Sequence, residues 1–193
     1  MPAIKPNPLL NPLYTMSASQ LAEAIRQRQY TVTEIVEAHI HRAEHLNARI
    51  NAIITPLYAS ARAQAQTCDD HIAQYGTDDL PTLYGVPITI KDSFEMEGIL
   101  ATAGSWYRRE TIAHKTASAV QRLQEAGAIV IAKSSCPDMC WSGETVNPII
   151  GFTRNPHDVR YTAGGSSGGE GALIASGASP LGLGSDIAGS VRI

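Results

Sequence analysis

The chain has 193 residues and a formal net charge of −3, with 44% hydrophobic and 17% charged residues. This composition is typical of a globular protein with a packed core. Nucleic acid is not an expected partner, because phosphate binding needs a basic stripe and no run of Lys or Arg exceeds two residues. No apolar run approaches the roughly 20 residues that cross a bilayer, and the N-terminus lacks the pattern of a signal peptide. The cysteines are an odd set of three, which is not a secreted disulfide framework. We therefore expect a cytoplasmic protein.

The first part of the chain predicts helices. Residues 1–16 hold four prolines and predict an irregular arm. Ser17 and Thr31 each stand three residues before a Gln or Glu, a spacing that predicts a capping box at a helix start. An apolar stripe follows Thr31, and an alanine- and glutamine-rich stretch comes after it. Together these patterns predict a helical section over residues 17–75.

The second part changes character. Residues 85–92, GVPITIKD, form a short β-branched run that ends in a charged pair and predicts a buried strand. Residues 116–126 predict a helix, and residues 128–133 predict the next strand. A helix flanked by strands indicates α/β layering.

A glycine- and serine-rich turn over residues 164–169 admits three interpretations. A phosphate-binding P-loop would need Gly-Lys-Ser/Thr, but Glu170 follows the last glycine. A nucleophile elbow would place Ser166 directly after an apolar strand, but residues 155–163 are polar and turn-like. The third interpretation is a plain glycine turn before a helix.

A second glycine- and serine-rich motif and a lysine are further candidates for a catalytic role beside this turn. Ser190 stands 24 residues after Ser166, in the run GSDIAGSVR over residues 184–192. Small residues before Ser190 let successive backbone N–H groups converge, as an oxyanion hole requires. Lys91 ends an apolar strand, where burial disfavours the charged ammonium. A neutral lysine can act as a general base without a histidine.

These stretches together resemble the amidase signature family, in particular its general and fatty-acid-amide-type amidases. The matching segments, in the order and spacing of the family, are GVPITIKD, NPIIGFTRNPHD, GGSSGGEGALIASG and GLGSDIAGSVR. The resemblance implies an α/β fold, with a mixed β-sheet flanked by helices and an N-terminal helical section. On this basis residues 1–193 are the N-terminal portion of a single amidase signature domain, incomplete here, with part of the catalytic core over residues 80–193.

The resemblance also implies a function, the hydrolysis of a carbon–nitrogen amide bond through an acyl-enzyme. Lys91 is then the base, Ser166 is a bridging serine that follows a cis peptide bond, and Ser190 is the nucleophile. The implied oxyanion hole consists of backbone N–H groups of Ile187, Ala188, Gly189 and Ser190. No metal or other cofactor is implied, and the expected substrate is a small-molecule amide.

Four supporting residues surround this set, namely Gly165, Ser167, Asp186 and Arg192. Asp186 and Arg192 form either a surface ion pair that contributes little to stability or, as the resemblance implies, a buried pair that shapes the loop. The family usually has glycine where Ala188 stands. If φ is positive there, the methyl group costs energy and tunes activity.

Three other features have competing interpretations. His41, Glu44 and His45 match the H-x-x-E-H motif of inverted zinc proteases, although no third ligand is evident. Cys136 and Cys140 are expected to be buried or loop thiols rather than metal ligands. Met139 and Trp141 either line an acyl pocket or pack in the ordinary way.

Proteins of this family are more than twice as long as this chain. We therefore expect the 193 residues to be a fragment or truncation that is inactive alone, because an interrupted sheet exposes an apolar edge. A catalytically inactive remnant that acts as a binding module is the alternative. The resemblance leaves open a homodimer for the full-length form.

Overall fold

The computed structural model describes residues 11–193, so most of the predicted irregular arm lies outside the described residues. Within it, Pro12–Thr15 forms a short 3₁₀ turn. The α-helices of the described part are α1 (Ala18–Arg26), α2 (Val32–Ile50), α3 (Tyr58–Tyr75), α4 (Ser118–Glu125) and α5 (Gly168–Ala175). Its strands are β1 (Ile53–Pro56), β2 (Pro87–Lys91), β3 (Ile129–Ser134), β4 (Val146–Asn147), β5 (Gly151–Phe152) and β6 (Gly182–Leu183).

The central feature is a mixed four-stranded sheet in the order β1-β3-β2-β6. Strand β1 runs antiparallel to β3, whereas β2 runs parallel to both β3 and β6. Strands β4 and β5 form a separate antiparallel pair. This arrangement confirms the predicted α/β class with a mixed sheet flanked by helices.

The two predicted capping boxes are present and set the starts of α1 and α2. The Ser17 hydroxyl accepts from the Gln20 N–H, and the Gln20 side chain accepts from the Ser17 N–H. Thr31 and Glu34 make the same reciprocal pair at α2. Each box satisfies two backbone donors that a helix start otherwise leaves without partners.

The apolar stripes of α1 and α2 pack with the sheet into one buried core. Strands β2 and β3 are buried along their whole length. The largest core cluster joins helix residues such as Leu21 and Ile35 to strand residues such as Ile88 and Ile131. None of the helices within residues 11–193 combines the length and apolarity that a membrane crossing requires.

The sheet brings polar residues together at one edge. Because β2 and β3 are parallel, their carboxyl ends meet at the same edge, where Lys91 is paired with Ser134. Ligand sites of open α/β sheets lie at this edge. Along β2 the side chains alternate, so Thr89 and Lys91 share one face while Ile88 and Ile90 share the other.

The opposite face of the same sheet carries a second buried lysine, Lys133 of β3. Its Nζ atom lies 3.0 Å from Asp92 Oδ1, and both side chains are 0% exposed. Lys133 also donates to the Leu100 carbonyl oxygen, and Asp92 accepts from the Thr102 hydroxyl. Two opposite charges without water are tolerated only because each is paired and hydrogen bonded.

We predict that Lys133→Met destabilises the protein by about 3–5 kcal/mol, because it leaves the Asp92 carboxylate buried without its counter-charge. The additional change Asp92→Asn should recover part of this loss. Arg160→Met is the matched control, because it also removes one partner of an ion pair, here with Asp158. The Arg160 side chain is 81% exposed, so its loss should change the stability little. Urea unfolding measures all three, and a Lys133→Met protein as stable as the unmodified one contradicts the prediction.

Candidate active site

Lys91 is the most deeply buried polar group of the site. It ends β2 and is 0% exposed. Its Nζ atom makes hydrogen bonds to Ser166 Oγ at 2.6 Å and to Ser185 Oγ at 2.9 Å. The amine therefore has two neutral hydroxyl partners.

Ser166 lies in the turn that leads into α5. The Gly165–Ser166 peptide bond is cis, as the resemblance implies. Thr145 holds this turn in place, because its hydroxyl donates to the Gly164 carbonyl oxygen at 2.9 Å and accepts from the Gly168 N–H at 3.1 Å. The predicted glycine turn before a helix is thus present, and it carries a buried serine.

Ser190 belongs to the loop that follows β6. The Ser190 carbonyl oxygen accepts from the Ser167 N–H at 3.0 Å, and the Ser167 hydroxyl donates to the Ser185 carbonyl oxygen, also at 3.0 Å. Ser167 therefore joins the two glycine-rich motifs. Gly165, by contrast, lies against backbone atoms of residues 143 and 144, where a Cβ would be too close.

A cavity of about 300 Å³ opens between these motifs. Ser166, Ser185 and Ser190 all line this cavity, and Ser166 is buried. Its other lining residues are Cys140, Trp141, Ser142, Gly143, Gly165, Ile187, Ala188 and Ile193. Trp141 thus lines the cavity, whereas the neighbouring Met139 is not among the lining residues.

The loop before Ser190 is organised by Asp186. Its carboxylate accepts from the Gly189 N–H at 2.7 Å and from the Val191 N–H at 3.2 Å, and it pairs with Arg192. The Arg192 guanidinium, followed by the Gly189 N–H, lowers the pKa of this carboxyl group well below its usual range. The Arg192 side chain is 69% exposed, however, so the pair shapes the loop as the resemblance implies but is not buried.

Two features of this loop bear on the predicted oxyanion hole. Ala188 is not among the residues with positive φ, whereas Gly189 has φ +124°. The methyl group of Ala188 therefore causes no backbone strain. The positive φ that favours glycine occurs at the next residue, Gly189. The Gly189 N–H is already bonded to Asp186. The N–H groups of Ile187, Ala188 and Ser190 make no hydrogen bond within residues 11–193.

Sequence reasoning assigned no role to Ser185 or Cys140, although both lie at the site. Ser185 is the second partner of Lys91, and its signal was only its place within the motif of Ser190. The pKa of the Cys140 thiol is lowered by its interaction with Cys136 and by the nearby Lys91. The pKa of Cys136 is raised by the same contact and by burial. Both thiols are free.

The H-x-x-E-H motif does not assemble into a site. His41 lies on α2, where its ring contacts Glu37 and its side chain is 69% exposed. No group of three or more His, Cys, Asp or Glu side chains among the described residues comes together in a way that could hold a metal ion.

Glu170 is a further buried group that the sequence did not single out. It is 3% exposed, and its Oε2 atom accepts from the Thr89 hydroxyl at 2.6 Å. Burial raises the pKa of this carboxyl group from 4.5 to about 7, although Thr89, Ser134 and Lys91 all act to lower it. The folded protein therefore binds the Glu170 proton more tightly than the unfolded chain does.

This shift predicts how stability depends on pH. Because the pKa is raised on folding from 4.5 to about 7, the stabilisation by the Glu170 proton is full below the lower value. It is lost as the pH rises through the higher one. Relative to Glu170→Gln, which cannot ionise, the free energy of unfolding of the unmodified protein should fall by roughly 3 kcal/mol across this window. Urea unfolding of both proteins at several pH values tests this, and a difference that does not change with pH contradicts it.

The chain is similar to known amidases both in sequence and in fold. The family model described as Amidase matches residues 34–193. Fatty-acid amide hydrolase 2-A of Danio rerio is 39% identical over 191 residues, which is 96% of this chain and 36% of that protein. Fatty-acid amide hydrolase 2 of Homo sapiens is 37% identical, over 97% of this chain and 36% of that protein.

A solved structure of fatty acid amide hydrolase superposes with a TM-score of 0.90 at 27% identity, over 97% of this chain and 32% of that one. The chain therefore spans about a third of the length of the relatives it matches. With a family model that matches most of its residues and a fold that superposes over nearly its whole length, the chain belongs to the amidase signature family.

Proposed function

We propose that the protein containing this chain hydrolyses a carbon–nitrogen amide bond, with Ser190 as nucleophile, Ser166 as the bridging serine and Lys91 as base. The observation that carries the proposal is the 2.6 Å contact between Lys91 Nζ and Ser166 Oγ, buried beneath a cavity that Ser190 also lines. The relatives are named as amide hydrolases, which supports the same reaction class.

The relay follows from the partners of Lys91. A neutral amine has two N–H groups and one lone pair, so it can donate to Ser185 Oγ and accept the hydroxyl proton of Ser166. Ser166 can then accept the proton of Ser190 as the Ser190 oxygen attacks the carbonyl carbon. This relay activates a serine without a histidine.

The rest of the reaction returns the proton. The tetrahedral intermediate places its oxyanion at the N–H groups of Ile187, Ala188 and Ser190. As the carbon–nitrogen bond breaks, the proton passes from Lys91 through Ser166 to the leaving nitrogen, and Ser190 remains acylated. Water then attacks the ester through the same relay, which releases the acid and restores Ser190.

The cavity favours a substrate with an apolar group next to the amide. Trp141, Ile187, Ala188 and Ile193 contribute its apolar wall. The two relatives described above are named as fatty-acid amide hydrolases, and a fatty-acyl chain is apolar. We include an apolar acyl group in the proposal on these grounds.

The relay predicts the effect of removing each member. Lys91→Ala and Ser166→Ala should each lower the rate at which a fluorophosphonate labels Ser190 by roughly 10²–10⁴-fold, because the nucleophile loses its route to a base. Ser190→Ala should remove labelling entirely. Ser60→Ala, on α3 and away from the cavity, is the control and should label normally. Labelling at full rate without Lys91, or a label on another serine, contradicts the assignment.

We also propose that residues 1–193 alone do not turn over an amide substrate. Two residues of the cavity wall stand in solvent, since Trp141 is 90% and Ile187 is 99% exposed. An amide in such a cavity stays hydrated, whereas electrostatic stabilisation of an oxyanion depends on excluding water.

This second proposal is tested by comparing two proteins, the 193-residue chain and the product of its whole native reading frame. We expect only the product of the whole reading frame to hydrolyse a fatty-acyl anilide. The measurement is the rate at which free aniline is released. Equal turnover by the 193-residue chain contradicts the proposal. Labelling of Ser190 in the product of the native reading frame separates an enzyme from a non-catalytic binding module, which should not react.

A further inference from the structure

Glu170 is a buried carboxyl group that the proposed relay does not use. It lies in the first turn of α5, four residues after Ser166. Thr89, which donates to it, lies two residues before Lys91 on the same face of β2. The contact between Thr89 and Glu170 and the contact between Lys91 and Ser166 each measure 2.6 Å. The strand that carries the base and the helix that follows the bridging serine are thus joined twice.

The neighbouring strand is fitted around this carboxyl group. A Cβ at position 182 would overlap Glu170 Oε2, so β6 can lie this close only because Gly182 has no side chain. Strand β6 leads into the loop that carries Ser185 and Ser190. The Glu170 carboxyl group therefore contacts the two elements that lead to the nucleophile and the base.

The second oxygen of Glu170 lies beside Ser134. Glu170 Oε1 and Ser134 Oγ are both buried, and neither has a hydrogen bond to any other described residue. Ser134 is paired with Lys91 across β2 and β3, and its hydroxyl acts to lower the pKa of the carboxyl group. Burial outweighs this effect, and a proton on Oε1 makes that oxygen a donor to the Ser134 hydroxyl.

The surroundings of Glu170 contain one charged group among the described residues. Strand β2 presents Thr89 and Lys91, β3 presents Ser134, and β6 presents Gly182. Lys133 and Asp92 pair with each other on the opposite face of the sheet. An ionised Glu170 would therefore be a buried counter-charge for Lys91, and such a charge favours the ammonium form, which cannot accept a proton.

We propose that Glu170 is a positioning residue for Lys91 and Ser166, and that the proton on its carboxyl group keeps Lys91 free to act as the base. The proposal rests on the proposed function, since it assigns Glu170 a role in that relay. The pair shares one proton, which lies either on Glu170 or on Lys91, and the balance between these two states does not depend on pH because both contain the same number of protons. When Glu170 loses that proton to solvent at higher pH, Lys91 stays a free amine.

Glu170→Gln tests the protonation part, because a glutamine has the shape and the hydrogen-bonding groups of the neutral acid and cannot ionise. The measurement is the second-order rate constant for fluorophosphonate labelling of Ser190, in the protein expressed from its native reading frame. The ratio of the Gln variant to the unmodified protein should stay within about twofold of one from about pH 6 to about pH 8.5, because Lys91 is the free amine in both proteins. A ratio of threefold or more at about pH 6 that falls towards one by about pH 8.5 overturns this part of the proposal, since it would place the shared proton on Lys91 rather than on Glu170.

Thr89→Val tests the positioning part, because valine keeps the shape of threonine and removes the donor. The maximal labelling rate should fall roughly tenfold, with the half-saturating probe concentration within about twofold. Thr89→Ser should restore the rate. Thr153→Val is the matched control, since Thr153 is 0% exposed and donates to the Asn51 carbonyl oxygen at 2.8 Å, away from the relay. Equal losses in both valine variants overturn the positioning role.

Labelling of the Lys91→Ala variant shows whether a negative result contradicts the whole proposed function or only the role of Glu170. If labelling does not depend on Lys91, the proposed function fails and the role of Glu170 fails with it. If labelling depends on Lys91 while Thr89→Val labels normally, or while the Glu170→Gln ratio is raised at about pH 6, only the role of Glu170 is wrong.

Discussion

The site depends on the burial of one amine. Lys91 is 0% exposed at the end of β2, and an ammonium ion in that position would need a negative partner to replace water. The partners within hydrogen-bonding distance are the hydroxyls of Ser166 and Ser185, which carry no charge. A lysine amine held by serine hydroxyls is placed to take up a serine proton, which is the chemistry that the proposed histidine-free relay requires.

A second lysine of the same sheet shows that the partner, rather than burial, decides the role. Lys133 is as buried as Lys91 and lies one position along the paired strand, where the pleat turns it to the other face. There it meets Asp92 at 3.0 Å and forms a buried ion pair. Lys133 is therefore held in an ion pair, whereas Lys91 has two serine hydroxyls as its hydrogen-bond partners and is the lysine of the proposed relay.

The sequence predicted what depends on neighbours in the chain. The capping boxes of Ser17 and Thr31 and the buried strands rest on spacings of a few residues, and Lys91, Ser166 and Ser190 stand in motifs with a family order. The partnerships of Glu170 with Thr89 and of Ser185 with Lys91 join residues 81 and 94 positions apart. No local pattern encodes them, because the sheet and α5 create these contacts only on folding. The exposure of Arg192 was likewise a matter of packing.

The chemical and the substrate-binding parts of the site differ in how far they are enclosed. Two members of the proposed relay, Lys91 and Ser166, are buried, and the relay residues are held by strand pairing, by α5 and by the hydroxyls of Thr145 and Ser167. The apolar wall of the cavity stands largely in solvent at Trp141 and Ile187. Proton transfer between fixed side chains needs short distances, which the buried elements supply. Stabilising an oxyanion on an apolar substrate also needs water to be excluded, and an open wall cannot provide that. The contacts that hold the base and the bridging serine of the proposed relay are therefore buried, whereas the apolar wall proposed to receive the acyl group is exposed at Trp141 and Ile187.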